Sequence, residues 1–75
     1  MRTVGFILVG IKEDEMKFVG EDQASGGYIF FSEYMSSAKI FNEYSTCQER
    51  NRFWSEQAHN YLQGFKLEVK RLYIY

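Results

Sequence analysis

Proline is missing from this chain altogether, where average usage would place about four in a sequence of this length. Glycine and clustered polar residues must therefore carry its turn signals. Cysteine occurs once, at Cys47, which excludes an internal disulfide framework and a cysteine-built zinc site. Histidine also occurs once, at His59, so no histidine pair is available to hold a metal. Neither charge sign dominates: nine basic residues stand against ten acidic ones, a net charge of −1. That balance supplies no strong field for gripping nucleic acid or for mimicking it. The longest apolar run, Val4 to Ile11, falls far short of the ~20 residues that cross a bilayer. Read as a secretion signal, the run would use Arg2 as its basic region. It flows straight into Lys12-Glu13-Asp14-Glu15 with no small-residue cleavage site. A cytoplasmic location is expected, in keeping with the single unpaired cysteine.

Aromatic residues are abundant, at 19%, within a hydrophobic fraction of 45%. This is enough for a core and argues against disorder. Seventy-five residues form one domain, 1–75, that buries roughly 60–65% of its unfolded surface. Such a domain has little room for a deep cleft or an enclosed group, and no cofactor is expected.

Thr3 to Ile11 is apolar on both alternating sets, with Val4, Phe6 and Leu8 on one side and Ile7, Val9 and Ile11 on the other. A strand buried on both faces reads this way and belongs in the middle of a sheet. Met16 to Gly20 forms a second strand, joined to the first as an antiparallel hairpin. The stretch Glu21 to Gly27 has loop character. Tyr28 to Tyr34 is a third strand, with Tyr28, Phe30, Ser32 and Tyr34 on one side and Ile29, Phe31 and Glu33 on the other. Residues 35–44 are open between turn, helix and short edge strand, with Phe41 as a candidate anchor. Thr46 with Glu49, or Ser45 with Gln48, predicts a capping box. The helix then runs near Cys47 to Gln63, burying Cys47, Trp54, Ala58, Tyr61 and Leu62, and Gly64 ends it. The last strand, Phe65 to Tyr75, first alternates Phe65, Leu67 and Val69 inward, then shifts phase at Lys70-Arg71. Either a bulge or a change to two-sided burial explains the shift.

The expected fold is α+β, in the order β-β-β-α-β: a small, mainly antiparallel sheet with one helix packed on one face. One helix covers one face only, while apolar residues fall on both. The excess is the most functional-looking property of the sequence.

Catalytic constellations are absent. Cys47 and His59, twelve residues apart on one helix, would stand about 18 Å from each other, too far for a nucleophile and its base. Glu13-Asp14-Glu15 and Glu21-Asp22 read as solvated loop tips. The glycines match no phosphate loop. The strand Gly27-Tyr28-Ile29-Phe30-Phe31 has the aromatic character of the RNA-binding strand of the RRM fold. Gly26, however, stands where that signature wants a basic residue, and no helix fits between the first two strands. Residues 1–38 carry three basic and six acidic groups, and residues 39–75 six and four. A nucleic-acid module using the aromatics and the basic C-terminal half is the alternative reading.

A hairpin, an aromatic strand, the element Ala38-Lys39-Ile40-Phe41, then a helix and a closing strand resemble the layout of many small, uncharacterised bacteriophage-encoded proteins. The resemblance spans most of the chain and carries over no site residue. It implies a viral protein in the host cytoplasm that binds and inhibits or redirects a host protein, antiphage defence systems included. The expected function is therefore a non-enzymatic protein-binding module acting through an aromatic sheet face. Tyr28, Phe30, Tyr34, Tyr73 and Tyr75 are its candidate contacts and Arg71 a polar anchor, residue types that interfaces favour. Pairing with a second copy into a homodimer is the companion expectation.

Overall fold

A computed structural model of the chain describes residues 2–22, 28–57 and 62–74, with only the backbone described at Gln57 and Ile74. Four strands and one helix appear in the expected order: β1 (Arg2–Lys12), β2 (Glu15–Asp22), β3 (Tyr28–Ser32), α1 (Tyr44–Gln57) and β4 (Lys66–Ile74). A single 3₁₀ turn, Met35–Ser37, precedes α1. The strands form one antiparallel sheet in the order β3-β2-β1-β4. β1 is central, as its two-sided apolar pattern requires. Glu13 and Asp14 close the first hairpin between paired Lys12 and Glu15, with Glu13 at φ +54.

One face of the sheet carries α1. Leu8, Val19 and Leu67 from three strands meet Cys47 and Trp54 of the helix, together with Phe41 and Leu62, in one buried cluster. The other face buries Ile7 and Val9 to 2% and 1% exposure, and among the described residues no helix lies on it. The segment between β3 and α1 passes over part of this face. The Ser37 carbonyl sits 2.5 Å from where a Gly20 side chain would begin, and the Phe30 ring crowds the same point; Ile40 occupies the corresponding space at Gly5. Only a residue without Cβ lets a backbone pass this close. The segment then threads between β1 and β2. Lys39 N–H donates to the Val19 carbonyl (3.1 Å), and Phe6 and Phe41 exchange both backbone hydrogen bonds at 2.8 Å. Phe41 is thus an anchor held by a single β-bridge, which resolves the ambiguous stretch 35–44.

Several expectations are corrected. The helix begins at Tyr44, three residues early, because Phe41 is already fixed to β1. The Glu43 carbonyl accepts the first helical bond from Cys47 N–H (3.2 Å). Ser45 and Thr46 lie inside the first turn and cannot serve as caps. The helix stops before Leu62, which begins a tight turn: Phe65 N–H donates to the Leu62 carbonyl (2.8 Å), with Gln63 and Gly64 at φ +54 and +87. Gly64 therefore ends a turn rather than the helix. Ala58, His59 and Tyr61 lie outside the described residues. β3 ends at Ser32, since Tyr34 N–H turns back onto Ser32 Oγ (3.0 Å). The phase shift read in β4 belongs to β1: the register breaks between Thr3 and Gly5, making Val4 the extra residue. β4 itself alternates without interruption.

Candidate functional site

Alternation and register assign each candidate residue to a face. Tyr28 and Phe30 pair with Asp22 and Gly20 on the helix-free face, where they are 50% and 39% exposed. Tyr34 lies just past the strand, 70% exposed, and its carbonyl accepts from Ser37 N–H (3.1 Å). Ile40 of the crossing segment, seated over Gly5 on the same face, is also exposed, as is Met35 elsewhere in the segment. Reading the sequence alone passed over these two, because their segment had no assigned structure.

Arg71 and Tyr73 fall elsewhere. They share the parity of Leu67 and Val69 and therefore lie on the helix-bearing face, at the opposite edge of the sheet. Three strand spacings, about 14 Å, separate the outer strands. There Arg71 Nη1 reaches Tyr73 Oη (3.4 Å), and its guanidinium stands 5.8 Å from the Phe6 ring centroid. Phe6 in turn meets Tyr44 edge-on at 5.7 Å. The structure thus brings Tyr28 and Phe30 together, Arg71 and Tyr73 together, and the two pairs apart. Tyr75 lies outside the described residues.

Glu21 was read as a loop-tip acid, and the structure overturns this. It belongs to β2, on the same face as Val19, and its side chain is only 6% exposed. Oε2 accepts from Arg50 Nε at 3.0 Å and from Trp54 Nε1 at 3.1 Å. The Arg50 guanidinium also stands 5.2 Å from the Phe53 and Trp54 ring centroids. The contact ties helix to sheet and satisfies the indole N–H that burial of Trp54 would otherwise leave unpaired. Parity with Val19 was the available signal. The neighbouring acid and the loop-like sequence after it hid it.

Cys47 is wholly buried, and burial pushes its thiol up to about 11, the opposite of an activated nucleophile. Among the described residues, no group of three His, Cys, Asp or Glu could hold a metal ion. A cleft of about 330 Å³ is lined by Lys17, Ile29, Phe31, Gln63 and Phe65, among others. Two of its lining rings, Phe31 and Phe65, stack with centroids 4.8 Å apart, and Lys17 is paired with Glu15 (3.5 Å). Among the described residues, no helix is long and apolar enough to cross a membrane. Compared with protein-family models, with curated proteins and with solved structures, the chain matches none.

Proposed function

We propose that this chain is a non-enzymatic protein-binding module that docks through the helix-free face of its sheet. The observation that carries the reading is the exposure of Tyr28 and Phe30 on that face, which also carries the exposed Ile40 of the crossing segment. Exposed aromatic and apolar groups gathered on one side mark interaction surfaces, and aromatics and methionine are enriched there. The closed state of Cys47 supports a role without catalysis. In line with the phage-like layout, the partner is a host protein that the module inhibits or redirects.

Affinity capture of the tagged chain from a lysate of its cells, followed by mass spectrometry, tests this reading. The expected result is a stoichiometric protein that survives nuclease treatment and raised salt. Recovery that collapses with nuclease or falls steeply with salt would favour the nucleic-acid reading and overturn this one. So would the absence of any stoichiometric protein.

A further inference from the structure

The two outer strands differ as edges. β3 offers five residues, whereas β4 offers nine. Among the described residues, nothing pairs with the far side of β4. A long edge without proline or a bulge is a template for another strand. The groups it turns outward follow from Phe6, which exchanges both its backbone bonds with Phe41 on the β2 side. Adjacent residues of a strand alternate, so Ile7, Val9 and Ile11 turn theirs toward β4. Their partners Lys70, Glu68 and Lys66 then face inward. Leu67, Val69 and Arg71 face outward with their backbone groups unpaired.

We infer that β4 pairs antiparallel with β4 of a second copy of this chain, about a two-fold axis at Val69. Such pairing exchanges hydrogen bonds only between outward-turned residues, which leaves few registers. Centring on Glu68, Lys70 or Arg71 would set a charged residue against itself, and centring on Leu67 would overlap only the start of the strand. Centring on Val69 pairs residues 66–72, most of the strand, with Leu67 opposite Arg71. It also places Glu68 opposite Lys70, twice by symmetry. Those are the non-hydrogen-bonded positions, where facing side chains come closest and opposite charges directly across a ladder attract. Lys66 and Lys70 alone would blunt the edge; Glu68 between them makes it self-complementary. One step further, Tyr73 comes opposite the second copy's Phe65. The exposed pair Arg71 and Tyr73 thereby falls in this interface, and the two sheets join into one.

Sedimentation of the full chain tests the register. The native protein should dimerise by high micromolar concentration. Glu68→Lys and Lys70→Glu should each weaken dimerisation by roughly tenfold or more, since each turns two attractive pairs into repulsive ones. Mixing these two variants, or combining the changes in one chain, should restore it. Neither position belongs to the core, and circular dichroism checks that each variant folds. Tyr28→Ser/Phe30→Ser should stay dimeric, because the open face is a separate surface. A native monomer at high micromolar concentration, single variants that dimerise normally, or failure of the mixture to rescue would each overturn the inference. Loss of the dimer in Tyr28→Ser/Phe30→Ser would overturn it too.

Discussion

On the helix-bearing face, Leu8, Val19 and Leu67 pack against Cys47 and Trp54, and the buried Glu21 carboxylate fastens helix to strand. The opposite face also withdraws Ile7 and Val9 from solvent, and there a passing segment lays its backbone almost on Gly20. The first closure is broad and involves side chains of five elements. The passing segment on the second face depends on the absent side chain at Gly20, and Tyr28, Phe30 and Ile40 stay exposed there. The described residues hold one helix, and the face without it is the one proposed to take a partner.

The largest effect should come from the helix side. Trp54→Ala removes a core aromatic, which costs about 3–5 kcal/mol. That approaches the ~4–11 kcal/mol total expected for a domain of this length, and urea unfolding should find the variant largely unfolded. Gly20→Ala tests the passing segment. The added methyl meets the Ser37 carbonyl and the Phe30 ring, and overpacking of this kind costs about 1–3 kcal/mol. If it left the urea midpoint unchanged, the crossing segment would not be clamped against β2. Glu21→Ala leaves the Trp54 indole N–H without its acceptor. Because Arg50 is partly exposed and can rehydrate, the loss should be about 2 kcal/mol. Glu21→Gln should keep one acceptor and recover part of it.

Much of the fold was legible because period-two patterns are unambiguous when both sets are apolar, as in β1, or when they alternate cleanly, as at Phe65, Leu67 and Val69. Trp54 and Leu62 were recognisable as core from the three-and-four spacing of apolar residues along the expected helix. The start of the helix was not legible, since it is fixed by the bridge between Phe6 and Phe41, residues far apart in the chain. The site was legible residue by residue but not as a surface. Tyr28 and Phe30 carry no sequence mark of their distance from Arg71 and Tyr73; that follows from strand order. Parity with Leu67 places Arg71 and Tyr73 on the helix side, a signal hidden by the phase shift expected at Lys70-Arg71, whose irregularity lies in β1 instead.

A smaller effect is expected from Cys47. Its thiol is protonated in the fold up to about pH 11, above its range in the unfolded chain. The fold therefore binds the proton more tightly. Its contribution to stability is complete below about pH 9 and declines as pH rises from there toward 11. Relative to Cys47→Ala, the native chain should lose about 1 kcal/mol between pH 8 and pH 10. A thiol reagent at pH 8 should label Cys47 only when the chain unfolds. Prompt labelling of the native protein would mean that the helix side is less tightly closed than the other.

The division of labour between the faces stands or falls on partner capture by Tyr28→Ser/Phe30→Ser, measured beside Tyr73→Ala and the native chain at equal folded fraction. The double variant should remain folded and lose the stoichiometric protein that the native chain retains, while Tyr73→Ala keeps it. Capture that survives the double substitution, or that disappears with Tyr73→Ala alone, would contradict it.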